Sequence, residues 1–455
     1  MKQLDRQILQ IAVPSIVSNV TVPLLGLVDT AITGHLGAAA YLAAIAVGTS
    51  IFSVCYWVFS FLRMGTGGLT AQAFGRQSWS GCEECLRKAL TIAITAGLAI
   101  IALQTFIADF ALWLMDTRGD VEQYARTYFY VLVWGAPANL ALSAMNGWFI
   151  GMQDAKSPMI IAVGQNVLNI VVSSFLVIVL GWKVEGVATG TLVAQWAGCI
   201  AAAYLVAKRI HARNLGTLTT FATPEDAASS IAPTAQTSSL PIGEGGGRGS
   251  WSRFFSVNRD IFLRTVCLVA VMFSFTAFGS RQGDITLAVN ALLMQMFMLV
   301  SYIMDGFAYA GEALGGSLMG AGDKNGFELL KRRLFVWGGA TALLFCLMFA
   351  VGSDGFVWLL TDNETVRESA GPYLWATIVI PLVSLGAFIY DGLFIGTTST
   401  REMLISIFVA TVAYFAIALS TTGNTWLWVA FLAYLGLRGL VQHALMPRIL
   451  ARHFS

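Results

Sequence analysis

Long unbroken runs of apolar residues, separated by short polar breaks, follow one another along the whole chain. Each run is too long for a strand and near the roughly 20 residues a membrane helix needs. The pattern predicts twelve spans, at about 8–33, 40–62, 89–114, 124–150, 159–180, 187–207, 261–279, 285–310, 334–360, 372–396, 403–420 and 426–447. Transmembrane β-strands would instead show ten-residue alternation. The first run is too long for a cleaved leader and carries Asp29 where a cleavage site would need small residues, so it reads as a span. One stretch breaks the rhythm. Residues 211–255 are rich in Ser, Thr, Ala, Pro and Gly and read as a flexible cytoplasmic linker. It divides an N-lobe, 1–210 with spans one to six, from a C-lobe, 256–455 with spans seven to twelve.

Composition sharpens this picture. Hydrophobic residues make up 56% of the 455 and charged residues only 11%, against about a quarter in soluble domains. Too few polar side chains exist to clothe a water-soluble globule, and disorder needs the opposite balance. The net charge of +2 gives no nucleic-acid-binding surface. Twenty of the 27 Lys and Arg, with Arg264 counted among them, fall on the side shared by both termini and the even-numbered connections. Five fall on the other side. That bias predicts cytoplasmic termini. The six cysteines sit mostly in apolar runs; Cys82 and Cys85 form a lone CxxC in a predicted loop, a weak metal or redox signal. The glycine run 243–249 lacks the Lys-Ser/Thr of a phosphate loop, and no such motif occurs elsewhere.

The two halves repeat at a fixed offset of 245. It carries Gly34 onto Gly279, Gly75 onto Gly320, Trp113 onto Trp358, Tyr128 onto Tyr373, and Arg87-Lys88 onto Arg332-Arg333. It also carries Gly147-Trp148-Phe149-Ile150-Gly151 onto Gly392-Leu393-Phe394-Ile395-Gly396. Six spans per half make the halves parallel. Parallel repeats are related by an axis along the membrane normal, and their interface is where transporters bind substrate.

Ionisable residues inside spans are costly and mark candidate function. Asp29 shares one small, polar helix face with Ser15, Asn19, Val22, Gly26 and Thr33. Pro14 and Pro23 lie on the same helix and can kink it, which makes Pro23 and Gly26 a candidate hinge. Span five offers Asn166, Asn169 and Ser173 on one stripe, suited to hydrogen-bonding a carboxylate or to ordinary interhelical glue. Span eight carries Gln295, Met298, Tyr302, Asp305, Tyr309 and Glu312 at alternating steps of three and four, a candidate cavity wall or proton path. Asn19, Tyr302, Asp305, Tyr309 and Asp391 of span ten form the candidate substrate cavity. Glu312, near the end of its span, is expected to be wetted, and Asp109 interfacial. The acids do not repeat: the offset places Asp29 on Ser274, Asp305 on Ser60, Glu312 on Gly67 and Asp391 on Asn146. The lobes therefore look set to divide the labour, with the proton or cation switch in the N-lobe. The four His residues are scattered, and His35 lies in a Gly-flanked turn, so an enzyme is not expected.

Several of these strings resemble the multidrug and toxic compound extrusion (MATE) family, most closely its DinF-like branch. They are Val22-Pro23-Leu24-Leu25-Gly26-Leu27-Val28-Asp29-Thr30, the Gly34-His35-Leu36-Gly37 turn, Gly67 to Gly75, and Asp305 to Leu314. The resemblance covers all but the linker. It implies an all-α membrane protein of twelve helices in two pseudo-symmetric six-helix lobes. It also implies secondary antiport of small organic, often cationic or amphipathic, compounds against H⁺ or Na⁺, with no cofactor. The family's coupling carboxylate falls on Asp29, and its supporting polar positions on Asn166 and Asn169. Where many relatives carry a second acid, this chain has Ser173, which tilts the expectation from Na⁺ towards H⁺. A monomer in the inner membrane is expected. A Na⁺-coupled exporter and a lipid-linked-saccharide flippase are the rival readings, the flippase disfavoured by acidic rather than cationic cavity candidates.

Overall fold

The computed structural model describes residues 2–34, 39–214 and 248–454, and in the first helix it describes side chains through Thr21 and at Pro23. The Asp29 carboxylate, the surroundings of Gly26, the His35 turn and most of the 211–255 stretch lie outside the described residues. Those described are almost wholly helical, with no strand among them. The N-terminal half contains α1 (Lys2–Gly34), α2 (Ala39–Val58), α3 (Phe61–Gly75), α4 (Trp79–Ala102), α5 (Gln104–Leu114), α6 (Asp120–Leu132), α7 (Ala136–Gly151), α8 (Lys156–Ser174) and α9 (Val184–Asn214). The C-terminal half contains α10 (Arg248–Ser280), α11 (Asp284–Ala321), α12 (Lys324–Leu360), α13 (Glu364–Ala370), α14 (Leu374–Gly396), α15 (Thr400–Ser420) and α16 (Asn424–Phe454).

Eleven helical runs among the described residues are long and apolar enough to cross a bilayer. The 33-residue α1 is a twelfth long helix. Outward faces carry bare hydrocarbon: Val351 is 91% exposed and Phe273 76%. Surfaces of that kind are compatible with lipid and not with water. The chain is a multi-pass membrane protein built as two helical lobes.

The repeat is visible in the element bounds. Helices α2 and α3 together span 39–75, and α11 spans 284–321. Equivalent caps open the following helices. Ser78 Oγ accepts from the Gly81 amide at 3.3 Å, and 245 residues on, an Asp323 carboxylate oxygen accepts from the Gly326 amide at 2.8 Å. Each satisfies one of the orphan amides at a helix start.

Glycines show how the halves meet. A Cβ on Gly75 would collide with the Ser317 carbonyl, and a Cβ on Gly320 with the Gln72 carbonyl. Under the offset, Gly75 maps to Gly320 and Gln72 to Ser317, so the two contacts are one contact seen from each lobe. Gly316 would place a Cβ 2.5 Å from that of Ala71, its own equivalent, and Gly67 faces Glu312, its own equivalent. Contacts between a position and its own counterpart mark a pseudo-two-fold axis. Here it runs between α3 and the second half of α11, and close backbone approach there requires residues without side chains.

Several expectations change. Span two does not stop near 62; after a turn at Phe59 and Ser60 the helix resumes and reaches Gly75. The CxxC lies within the first two turns of α4 rather than in a loop, and the buried Cys82 thiol donates to the Thr70 carbonyl. The C-terminal half begins its helix at Arg248, inside the stretch read as linker. Arg264, counted with the terminus-side charges, lies ten residues into the span that starts at Phe254. Helix α1, assigned to the N-lobe, packs Ile8, Ile11 and Ala12 into the apolar cluster of the C-lobe. Gly306 of α11 admits it, since a Cβ there would meet Ile16 and the Ala12 carbonyl.

Candidate functional site at the lobe interface

Polar groups that bridge the lobes gather between mid-span and the side carrying both termini. Asn19 Nδ2 of α1 donates to the Tyr302 carbonyl of α11 at 3.1 Å. Ser60 and Thr265 hydroxyls lie 3.3 Å apart. Gln72 Nε2 donates to the Gly396 carbonyl and to Thr398 Oγ1, each at 3.1 Å. At the outermost turn, Arg333 of α12 grips Asp5 of α1 with Nε at 2.6 Å and with Nη2, and Trp337 Nε1 donates to the same carboxylate at 3.1 Å. The Arg333 hydrogen bond holds the Asp5 carboxyl below the usual carboxylate range, against a smaller opposing effect of desolvation. These contacts join the lobes on the terminus side.

Beneath those contacts sits a buried ion pair. Arg63 Nη1 of α3 donates to Glu312 Oε2 of α11 at 3.3 Å. The same guanidinium lies over the Tyr309 ring, 4.3 Å from its centroid. Glu312 is 0% exposed, so the expectation of a wetted side chain is wrong. Its Oε1 has no hydrogen-bond partner and points at Gly67, where any Cβ would collide with it. Asp305, one turn away from Tyr309 on the same face, is half-buried and has no hydrogen-bond partner among the described residues.

Asp391 is placed differently from a cavity acid. It is 5% exposed, and its two oxygens are occupied by Arg264 and Arg438 on one and Gln442 on the other, the last at 2.6 Å. Asp305 of α11 also faces this pair of guanidiniums, and Arg264 Nε and Arg438 Nε have no hydrogen-bond partner among the described residues. In the N-lobe the offset puts Asn19 and Asn146 where Arg264 and Asp391 stand.

The span-five stripe divides. Half-buried Asn166 donates through Nδ2 to the Thr21 carbonyl of α1 at 3.1 Å, two residues before Pro23. Buried Asn169 instead turns into its own lobe, donating to Thr191 Oγ1 at 2.9 Å and accepting from Ser173 Oγ at 3.4 Å. Gly190 leaves room for that Ser173 hydroxyl. Asp109 pairs with Arg126 at 2.5 Å on an exposed surface.

The MatE family model matches residues 14–175 and again 261–420, once per lobe. The chain is 36% identical to the DNA damage-inducible protein F of Escherichia coli K12, over 98% of this chain and 92% of that one. The chain belongs to the MatE family. It is also 26% identical to Protein DETOXIFICATION 44, chloroplastic, of Arabidopsis thaliana, over 96% of this chain and 81% of that protein. Among solved structures, the outward-facing conformation of a multidrug resistance MATE family transporter of the MOP superfamily superposes with a TM-score of 0.83. That match has 18% identity and covers 99% of this chain and 97% of that one. The MATE fold is therefore shared along the whole chain.

Of the residues singled out in the sequence, Asn19, Tyr302 and Tyr309 lie along the α1–α11 interface, while Asp305 faces Arg63 and also the Arg264–Asp391–Arg438 cluster. Arg63, Arg264, Arg438, Gln442 and the buried role of Glu312 were not anticipated. One signal was available for Glu312: the offset pairs it with glycine, and a large acid opposite a glycine on a symmetry axis has a place to go.

Proposed function

We propose that this protein exports small organic, cationic or amphipathic compounds across the membrane in exchange for H⁺, by alternating access. The observation that carries the proposal is the two-lobed repeat whose halves are latched at the terminus side, with intramembrane acids on the two interface helices α1 and α11. In this reading the termini are cytoplasmic and the latched state is the one open outward. The multidrug role named for the structural neighbour agrees with it.

Asp29 carries the coupling proton. Protonation removes its charge and lets α1 bend at Pro23 and Gly26, next to the carbonyl of Thr21 that Asn166 holds. A bend there withdraws α1 from α11 and changes the cleft wall built by Asn19 and Tyr302. The ion and the substrate exclude one another because each favours a different lobe arrangement. H⁺ is favoured over Na⁺ because Ser173 is not an acid and both polar ends of Asn169 are engaged inside the lobe. Small cations of that kind need several free oxygen ligands. The test is export of a cationic dye from proteoliposomes under a pH gradient and, separately, a Na⁺ gradient. Export driven by Na⁺ alone overturns the H⁺ assignment.

A further inference from the structure

The pair between Arg63 and Glu312 has two features that an ordinary helix clamp does not need. Its partners come from opposite lobes, and the guanidinium lies on an aromatic face while it meets the carboxylate. Tyr309 and Glu312 are three residues apart on α11, so the ring face and the carboxylate open in the same direction. A half-buried aromatic face beside a fully buried carboxylate is an arrangement that recognises a planar or quaternary organic cation. Arg63 enters that arrangement from the other lobe and fills it incompletely. It reaches only Oε2, and Oε1 stays buried without a partner in the hollow at Gly67.

We infer that Tyr309 and Glu312 form a subsite for an organic cation, and that Arg63 is a tethered surrogate for that cation, occupying the subsite when the terminus side is closed. The inference rests on the export reading above and adds to it the place and chemistry of substrate capture.

The physical logic is exchange of one positive charge for another. A carboxylate buried on the pseudo-two-fold axis cannot be left bare at low cost. When α3 moves away from α11, Arg63 leaves with its own lobe, and the Tyr309 face and Glu312 open towards the terminus side together. A cationic compound then restores the lost charge and the lost stacking. When the lobes close again, Arg63 returns to the same face and competes the compound off. Asp305, half-buried and one turn further along α11, faces Arg63 too, and also Arg264 and Arg438. Neutral compounds gain nothing from Glu312, so the subsite discriminates by charge. The other charged groups in the C-lobe do not compete for it: Arg264 and Arg438 are held by Asp391.

The experiment measures binding of ethidium, a planar organic cation, and of phenanthridine, its neutral ring system, to purified full-length protein. Wild type is compared with Arg63→Ala, Arg63→Lys, Glu312→Gln and Tyr309→Leu. Removing the surrogate in Arg63→Ala is expected to tighten ethidium binding about tenfold and to slow its export, because nothing expels it. Arg63→Lys retains a cation and stays near wild type. Glu312→Gln and Tyr309→Leu weaken ethidium and leave phenanthridine unchanged. Arg63→Gln replaces Arg63→Ala if the alanine variant is not monodisperse. Equal ethidium affinity in wild type and the Arg63 neutral variants overturns the surrogate role. So does a Glu312→Gln effect of the same size on phenanthridine. If wild type still exports ethidium under a pH gradient in those cases, the antiport reading survives alone. A wild type that neither binds nor exports organic cations overturns both.

Discussion

Glu312 and Gly67 occupy equivalent places in the two repeats, and they face each other across the lobe boundary. The acid uses the space its own counterpart leaves empty. Exchanging Gly67 for alanine puts a Cβ into Glu312 Oε1, and the carboxylate cannot swing away without disturbing its pair with Arg63. Overpacking of this kind costs about 1–3 kcal/mol. The Gly67→Ala protein is expected to melt at lower temperature in detergent and to lose export. Unchanged melting and export would show that the two lobes do not close on this contact.

The two C-lobe acids should separate by experiment. Asp391 pairs with two buried guanidiniums, and removing one partner of a buried pair typically costs about 3–5 kcal/mol. Asp391→Asn is therefore expected to lower thermal stability sharply, whereas Asp305→Asn, which breaks no hydrogen bond among the described residues, should melt near wild type and lose export. Melting curves of the two purified variants decide it. Equal losses of stability would contradict the separation.

The Asp5–Arg333 pair gives a pH signature. Its carboxyl is held below the usual range, so the contribution of the pair is full at neutral pH and is lost progressively as pH falls from the ordinary Asp value of about 3.9 through the depressed value. Asp5→Asn should reduce the melting temperature at pH 7, and the difference from wild type should shrink on acidification to about pH 3. A difference constant over that interval would mean the pair is not what latches α1 to α12.

Most of the architecture was legible in the chain. Apolar run length gave the spans, and the offset of 245 gave a repeat that reappears as reciprocal contacts, Gly75 with Ser317 and Gly320 with Gln72. The turn at Ser60 was missed because the sequence on both sides of it remains helical in character, and only the break in direction separates α2 from α3. The stripe on α11, read as a candidate cavity wall or proton path, lies on the helix that packs against α1 and α3. What periodicity could not give was which charges pair. Arg264 looked like a positive residue near a helix start, and the carboxylate that draws it into the membrane lies 127 residues away. The same distance problem hid Arg63, whose partner is 249 residues on. Asn169 and Ser173 were grouped with Asn166 by spacing, yet Thr191 on α9 turns them away from α1.

The division of labour between the lobes predicts unequal mutants. Asp29→Asn should bind ethidium and fail to couple it to a pH gradient. Asp305→Asn should impair export through the substrate path while proton movement driven by excess substrate remains partly intact. Proton uptake and dye export measured in the same proteoliposomes separate the two. Identical loss of both activities in both variants would contradict the division.

The most direct test of the account is dye export from proteoliposomes containing wild type or Asp29→Asn, with a pH gradient and then a Na⁺ gradient imposed. The account predicts export by wild type under the pH gradient alone and none by Asp29→Asn. Full pH-driven export by Asp29→Asn would contradict it.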